Sequence, residues 1–177
     1  DIIEAVGWWE QPGAPQPGQP WVFHPFRFAD SAAQMLVFDV NGDGRADVVT
    51  SWHCHLYGMV WWEQVKERGA IAFREHVILN KDASKNQYGV AFSQPHALAL
   101  ADIDGDGIKD LVTGKRFWAH GKSGPDTDSN GPALLYWFRL VRPAKGQAEF
   151  LPFLIADNSG VGTQVTVGFA SSKKYPD

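Results

Sequence analysis

Short apolar runs, separated by turn-rich polar segments, recur along the whole of this 177-residue chain. The runs either alternate between apolar and polar residues or are continuously apolar, and they end at Gly, Pro, Asn or Asp, which is the pattern of β-strands. Residues 64–69 are the one locally helix-favouring run, and we interpret them as a hairpin turn. The pattern therefore predicts an all-β protein.

An acidic segment occurs twice with the same spacing and gives the predicted strands a repeating order. Residues 39–50 have the sequence DVNGDGRADVVT and residues 102–113 have the sequence DIDGDGIKDLVT, with starts 63 residues apart. Each period holds a strand that leaves the acidic segment, a tryptophan-rich strand, a third strand after a turn and a fourth that leads into the next segment. Four antiparallel strands are the unit of a β-propeller blade. The predicted strands are 47–51 and 110–114 (first), 60–64 and 135–139 (second), 21–26, 71–79 and 149–155 (third), and 34–39, 96–102 and 164–168 (fourth).

Four aspartates occupy the same place in the repeat and divide the chain into periods of 1–46, 47–109 and 110–177. A closed propeller has four to eight blades, whereas these periods make three. We therefore expect a single propeller segment, an arc of a larger, seven-bladed ring that further sequence or another chain completes. Both ends of the chain have the pattern of an interrupted repeat, and the aspartates that mark the phase are Asp1, Asp47, Asp110 and Asp177.

The acidic segments have the spacing of a calcium loop. Oxygen-bearing side chains stand at positions 1, 3, 5 and 9, a backbone carbonyl is available at position 7, and Gly44 or Gly107 at position 6 permits the sharp turn. Because Ca²⁺ takes six to eight oxygen ligands, the two segments predict two calcium sites. The alternative is a pair of acidic turns without metal. A β-strand rather than a helix follows each segment, so these are turns between strands.

Together with the apolar strands at 36–38 and 98–101, the two segments resemble the FG-GAP/VCBS repeats of integrin α-chains and many secreted bacterial proteins. Residues 93–96, 113–121 and 160–164 are similar to a planctomycete-type bacterial subgroup of that family. The resemblance implies a β-propeller that is secreted, periplasmic or on the cell surface. In the third copy the first three acidic positions are Phe169, Ser171 and Lys173, so no calcium is expected there. The implied calcium ligands are Asp39, Asn41, Asp43, the Arg45 carbonyl and Asp47 in the first loop, and Asp102, Asp104, Asp106, the Ile108 carbonyl and Asp110 in the second.

Composition and missing motifs argue against several classes of function. Sixteen basic and twenty acidic residues leave a net charge of −4, which does not favour binding to nucleic acid through its phosphates. No apolar stretch reaches the roughly 18 residues of a membrane-spanning helix. Cys54 is the single cysteine, so no disulfide within the chain and no paired-cysteine zinc motif is expected. The sequence also has no phosphate-binding loop and no motif of a serine hydrolase.

Two insertions between the first and second strands, 52–57 and 115–120, concentrate the reactive residues. In a propeller such loops surround the central channel, where binding sites form. His53 and His55 lie on one face if the segment is extended, and with a third histidine they could hold Zn²⁺ or another transition metal. The alternative is that these histidines only hydrogen-bond to loop backbone. The candidate catalytic residues are His53, His55, Tyr57, His96, Lys115, Arg116 and His120.

The basic pair, the cysteine and the aromatic residues each have two interpretations. Lys115 and Arg116 could bind a carboxylate or accept a proton, or they could form a solvated rim. Cys54 could be a ligand or nucleophile, or a small buried thiol. Residues 126–131 resemble half of a calcium loop, and we expect a mobile polar loop. Tryptophans at the repeated positions should pack between blades, whereas Trp52, Phe117 and Trp118 lie outside the repeat and are candidates for stacking on a sugar ring.

Two functions of different classes follow. The first is a calcium-binding propeller module that binds carbohydrate or a protein partner, or serves assembly of a larger complex. The alternative is a metal-dependent sugar lyase or dehydratase with its site in the loops rich in His, Lys and Arg. Fungal aldos-2-ulose dehydratase is similar at the level of fold alone, because no catalytic motif matches it residue by residue.

Overall fold

The computed structural model describes residues 1–118, 120, 126–171 and 176. Within these residues the chain forms eleven β-strands, one 3-10 turn at Ala83–Lys85 and no α-helix, so the predicted all-β class is confirmed. The strands are β1 (Ile2–Glu4), β2 (Gly7–Glu10), β3 (Val22–Pro25), β4 (Met35–Phe38), β5 (Asp47–Ser51), β6 (Met59–Glu67), β7 (Ala70–Leu79), β8 (Leu98–Ala101), β9 (Asp110–Gly114), β10 (Leu135–Val141) and β11 (Glu149–Ala156).

The strands form three antiparallel sheets in which each strand pairs with its neighbour in sequence. The first sheet contains β1, β2 and β3, the second contains β4 to β7, and the third contains β8 to β11. Two-residue turns join the most regular hairpins: Arg68 and Gly69, both with positive φ, connect β6 to β7. The sequence predicts this turn over residues 64–69, but only residues 68 and 69 form it, because residues 64–67 continue β6 and pair with β7.

The sheets begin one strand earlier than the sequence periods do. β4 falls within the period 1–46, but it pairs with β5 across the first acidic segment, and β8 pairs with β9 in the same way. The short acidic connection makes the strands on either side of it antiparallel neighbours. Residues 164–168, predicted as a strand, do not form one, because the described residues hold no partner equivalent to β5 or β9.

The second and third sheets share one register. Leu36 lies opposite Val49 in the second sheet, and the residues 63 positions later, Ala99 and Val112, lie opposite each other in the third. A threonine hydroxyl on the strand after each acidic segment donates to the carbonyl of the residue immediately before the preceding strand, at 3.2 Å in the second sheet and 2.7 Å in the third. The sequence repeat is therefore also a repeat of hydrogen bonds.

The second sheet packs between the other two. Val48, Val60 and Trp62 face the first sheet and surround the fully buried Phe28. Residues next to them in the same strands, such as Val49 and Trp61, face the third sheet and pack with its side chains in the larger core cluster. Its buried members are Val40, Val49, Met59, Trp61, Leu79, Phe92, Leu98, Leu111, Phe138, Leu140 and Phe150. Burial on both faces accounts for the consecutive apolar residues in these strands, residues 48–49 in β5 and 59–62 in β6.

The outward faces of the first and third sheets are apolar and exposed. Ile3 and Trp8 face the second sheet, so the strand alternation turns Ile2 and Trp9 outward, where they are 58% and 40% exposed. On the third sheet Phe153 is 45% exposed and stacks on Trp137. Exposed aromatic pairs of this kind are typical of surfaces that another element covers.

Candidate functional site

The topology separates the acidic loops from the reactive loops. β5 and β9 begin at Asp47 and Asp110, the last residues of the acidic loops, and each ends at the start of an insertion that carries histidine or basic residues. His96 precedes β8, whose far end leads into the second acidic loop. Because the strands are antiparallel neighbours, the acidic loops lie at one end of the sheets and the histidines and basic residues lie at the other.

The first aspartate of each acidic loop folds the loop around its own carboxylate. Oδ1 accepts a hydrogen bond from the N–H three residues later, at 2.7 Å for Asp39 and 2.8 Å for Asp102. Oδ2 accepts from the N–H five residues later, at 3.0 Å in both loops. The aspartate at the fifth position accepts from the N–H two residues later, at 2.9 Å for Asp43 and 2.8 Å for Asp106. Two segments 63 residues apart thus adopt one conformation.

The aspartate at the ninth position is fully buried in both loops and ties the loop to the sheet. One oxygen accepts from the N–H of the second loop residue, at 2.9 Å for Asp47 and 3.1 Å for Asp110. The other accepts from the tryptophan-rich strand, from Gln64 at 2.8 Å and from Leu140 at 2.9 Å. Burial raises the pKa of both carboxyls above its ordinary value, while these N–H donors act to lower it.

The second loop brings its carboxylates close enough to share one cation. Oxygens of Asp102, Asp104 and Asp106 all lie within 4.8 Å of one another. Calcium binds oxygen at 2.3–2.6 Å, so two ligands of one ion lie at most about 5 Å apart. The donor set is made of hard oxygens, which also fits calcium. In the first loop Asn41 takes the third position, where its Oδ1 offers the same kind of ligand.

Arginine side chains contact the acidic loops at the same carboxylates. Arg139 on β10 lies 2.5 Å from Asp104 and 3.3 Å from Asp106, and Arg45 pairs with Asp43 within the first loop. A cation bound in either loop would compete with these guanidinium groups. Sequence reasoning missed Arg139 because the strand that carries it lies outside the motif.

The residue equivalent to Arg139 in the second sheet is an acid. Glu63 and Arg139 each precede the strand residue that donates to the buried aspartate. Glu63 accepts from Nδ2 of Asn41 at 3.3 Å, whereas Arg139 pairs with Asp104, the residue at the same loop position. A neutral Asn41 at the third loop position is therefore matched by an acid on the strand beside it, whereas the negative Asp104 is matched by a base.

The turn after β10 joins the third sheet to the first acidic loop. Arg142 donates to the carbonyl of Val40 at 2.9 Å and to that of Asp39 at 2.5 Å. The N–H of Gly146 donates to the carbonyl of Asn41 at 3.1 Å. Neighbouring sheets are thus connected by polar contacts at this end as well as by their apolar faces.

At the opposite end the structure brings together four of the predicted histidines, which we call the histidine cluster: His53, His55, His96 and His120. His55 is central, with ring centroids 6.3 Å from His53, 5.9 Å from His96 and 5.0 Å from His120. A nitrogen of Arg116 lies 3.4 Å from Nε2 of His55. His120 is exposed, and its Nδ1 lies 2.6 Å from a carboxylate oxygen of Asp126.

Cys54 is part of the same group. Its Sγ and one nitrogen each of His55 and His96 lie within 4.8 Å of one another, and the thiol is almost fully buried. Burial lowers the pKa of both histidines, and the positive charge of Arg116 lowers it further. Both rings are therefore biased towards the neutral form that can bind a metal.

Lys115 lies apart from the surface occupied by Arg116. Its side chain is fully buried, and its ammonium donates to the carbonyls of Asp128 and, at 3.1 Å, of Gly131. A carboxylate oxygen of Asp128 lies 3.4 Å from the same nitrogen. The ammonium thus binds oxygens of segment 126–131, whose sequence resembles half of a calcium loop.

The remaining candidates occupy different environments. Trp52 packs against Trp62 in the core, with ring centroids 5.7 Å apart. Phe117 is 42% exposed and stacks on Trp118, whose indole N–H donates to a carbonyl at 2.9 Å. Of the three predicted stacking residues, Phe117 offers the open ring. Tyr57 is half-buried beside Ser93, and burial raises its pKa.

Gln94, which sequence reasoning missed, connects the loops at the end of the sheets that bears the histidine cluster. It is fully buried with φ of 58°, and its carbonyl accepts from the N–H of His96 at 2.8 Å and of Arg116 at 3.1 Å. Its own N–H donates to Leu56 at 2.6 Å. A glutamine in this backbone conformation has no local signal in the sequence.

A cavity of about 370 Å³ adjoins His96. Ala33, Gln34, Thr163 and Gln164 complete its lining. Its size lies within the range of small-molecule sites, and its amide side chains can both donate and accept hydrogen bonds.

Comparison of this chain with protein-family models, with curated proteins and with solved structures found no match. The resemblance to FG-GAP/VCBS repeats therefore stays a prediction. The described residues contain no helix with the length and apolar character that crossing a bilayer requires. The predicted third copy of the acidic segment includes Lys173 and Asp177. Both residues lie outside the described residues.

We expect Lys115→Met to destabilise the chain by about 2–4 kcal/mol, because two carbonyls and a carboxylate lose a buried cationic donor. Segment 126–131 should then be cut faster by a non-specific protease. Urea unfolding and limited proteolysis measure the two effects, and Arg116→Met is the control, with an expected loss below about 1 kcal/mol. Equal stability of the Lys115 variant and the wild type would show that the ammonium does not hold this segment.

Proposed function

We propose that this chain is a calcium-binding β-propeller segment of the FG-GAP/VCBS type that binds carbohydrate at the end of the sheets bearing the histidine cluster. The observation that carries the proposal is the repeated loop. Two acidic segments fold around their first aspartate with the same hydrogen bonds, and both connect to their sheets through a buried ninth aspartate. Such duplication is expected when each copy serves the same ion.

The stack of three sheets supports a propeller. Each four-stranded sheet is a simple meander, and the second sheet packs against neighbours on both faces. Exposed apolar residues on the outward faces, such as Trp9 and Phe153, are suited to further sheets on either side. In this proposal the chain is an arc, and additional blades from further sequence or another chain cover those faces.

Electrostatics supports calcium. The second loop gathers three carboxylates within 4.8 Å and adds the buried Asp110, so without a cation the like charges repel. Arg139 neutralises part of this charge from outside the loop. A divalent ion inside the loop would neutralise more of it and would also bind the backbone carbonyl at the seventh loop position.

Calcium binding is tested with Asp43→Asn and Asp106→Asn, which keep the side-chain shape and an oxygen acceptor but remove one charge from each loop. The wild type should bind two Ca²⁺ per chain in isothermal titration calorimetry, and each variant should lose one site. Calcium at 100 times its Kd should stabilise the wild type by about 2.7 kcal/mol per site. Asp157→Asn, an exposed aspartate outside both loops, is the matched control.

Two results would contradict calcium binding. One is a wild-type chain whose unfolding midpoint is the same in millimolar calcium and in chelator. The other is a stoichiometry that stays unchanged in the double variant, which would place the ions elsewhere.

The carbohydrate part of the proposal rests on Phe117 and the cavity beside His96. An exposed aromatic ring provides an apolar face for a sugar, while Arg116 and the amides of Gln34 and Gln164 provide hydrogen bonds for its hydroxyl groups. Phe117 lies on the loop after β9, at the end of the sheets that bears the histidine cluster, where a ligand can reach it. A protein partner is the other outcome of the binding test.

We expect Phe117→Ala to weaken binding to an oligosaccharide by about tenfold, since stacking contributes roughly 0.5–1.5 kcal/mol beyond burial. Phenylalanine and alanine both carry a Cβ, so the substitution leaves the cost of the positive φ at this residue largely unchanged. The probe is an array of neutral and uronate-bearing oligosaccharides, and Phe169→Ala, an exposed phenylalanine on another segment, is the control. No wild-type binding on the array, or equal binding by the Phe117 variant, would reject this site.

A sugar lyase or dehydratase is the second candidate, and the group of Cys54, His55 and His96 is the observation that favours it. Such an enzyme needs a proton acceptor with a free lone pair. Lys115 is buried as a donor to oxygens, and His120 is bonded to Asp126. Two of the predicted bases are therefore engaged elsewhere, which makes the binding module the better-supported function.

A further inference from the structure

We infer that Cys54, His55 and His96 form a site for one divalent transition metal of zinc-like character, with an open coordination position next to Arg116 that accepts a carboxylate ligand. The site lies at the opposite end of the sheets from the acidic loops. The inference therefore does not rest on those loops binding calcium.

The three ligand atoms are close to the spacing that a metal needs. They lie within 4.8 Å of one another. Zinc binds sulfur at about 2.3 Å and imidazole nitrogen at about 2.1 Å, so tetrahedral ligands lie roughly 3.5 Å apart and the atoms must approach by at most about 1.3 Å. One thiolate and two imidazoles form a softer donor set than the oxygens of the acidic loops, and they select zinc or cobalt over calcium.

His96 is oriented as a metal ligand. Its Nδ1 is buried and has no hydrogen-bond partner among the described residues. The unsatisfied Nδ1 lone pair of His96 would be satisfied by a metal.

The backbone around the site is held by hydrogen bonds from several loops. The N–H of Cys54 donates to the carbonyl of Ser31 at 2.8 Å. The carbonyl of Gln94 holds both His96 and Arg116 by their backbone N–H groups. Ligands from two separate loops, on either side of β6 and β7, are thus positioned before any metal binds, which reduces the entropy cost of binding.

Arg116 determines what the fourth position binds. Its guanidinium lies 3.4 Å from Nε2 of His55, longer than a normal N–H donor distance, so little is lost when a metal or ligand replaces this contact. A divalent ion with one thiolate leaves one positive charge, and Arg116 adds another. A carboxylate can therefore bind the metal with one oxygen and the guanidinium with the other.

Cobalt substitution tests the metal site, because a Co²⁺–thiolate bond has a charge-transfer absorption in the near ultraviolet. We expect one Co²⁺ or Zn²⁺ per chain, this absorption in the wild type, and its loss in Cys54→Ser. His96→Gln should weaken metal affinity by more than about 100-fold, since changes of outer-shell residues alone cost 10–100-fold. The control is His24→Gln, at a half-buried histidine of the first sheet that is paired with Glu10, and this variant should bind metal as the wild type does.

Thiol reactivity gives a second measurement that needs no variant. Cys54 is the single cysteine, so a thiol reagent reports on this residue alone. One equivalent of Zn²⁺ should slow its modification at least tenfold, while millimolar Ca²⁺ should not. Modification at the same rate with and without zinc, or a cobalt spectrum without the thiolate absorption, would overturn the site.

Acetate tests the ligand class on the cobalt-loaded chain. It should shift the visible spectrum in the wild type, and Arg116→Met should weaken acetate affinity about tenfold without changing metal affinity. An unchanged acetate affinity in this variant would overturn the role of Arg116. Calcium content measured on the same samples separates failure of this site from failure of the acidic loops.

Discussion

A buried carboxylate that bonds both to its own loop and to the neighbouring strand is the interaction on which the rest of this structure depends. Asp47 and Asp110 each accept one N–H from their own loop and one from the strand beyond it. A buried charge without such partners would cost several kcal/mol, so the loop cannot move independently of the sheet. The same bonds fix three consecutive strands in register and direct the loop oxygens towards one another.

This arrangement also separates two kinds of chemistry. β5 and β9 are five residues long, which at about 3.3 Å per residue is roughly 16 Å. Carboxylate oxygens lie at one end of these strands, and imidazole, thiol and guanidinium groups lie at the other. Loops at the end with the histidine cluster can therefore change in length and composition while the acidic loops keep the sheets together. The insertions at 52–57 and 115–120 are such changes.

Strand positions were largely predictable from sequence because they depend on local pattern. The strands after the acidic loops have the predicted bounds, 47–51 and 110–114, since a motif defines their start and an insertion defines their end. The strand predicted at 164–168 does not form, because pairing depends on a partner that the local pattern cannot supply. The acidic loops were predictable from the repeated motif, and the proximity of the histidines was predictable because the insertions that carry them follow equivalent strands of the repeat.

Contacts between elements distant in sequence were not predictable. Arg139 lies on a strand 33 residues beyond Asp106, so no motif links it to the loop that it neutralises. Lys115 and Arg116 are adjacent and chemically alike, yet one is fully buried and the other faces the histidine cluster. Only the packing of segment 126–131 distinguishes them. Gln94 connects three loops through its backbone, which residue type does not reveal.

The most direct test of the repeated-loop account is a crystal structure of the chain grown with millimolar calcium, measured at a wavelength where calcium scatters anomalously. The account predicts one anomalous peak inside each acidic loop, and Arg139 displaced from Asp104 and Asp106 by the ion. Loops without a peak, with Arg139 still paired to both aspartates, would contradict it. In that case the two loops would be acidic turns that arginine, rather than calcium, neutralises.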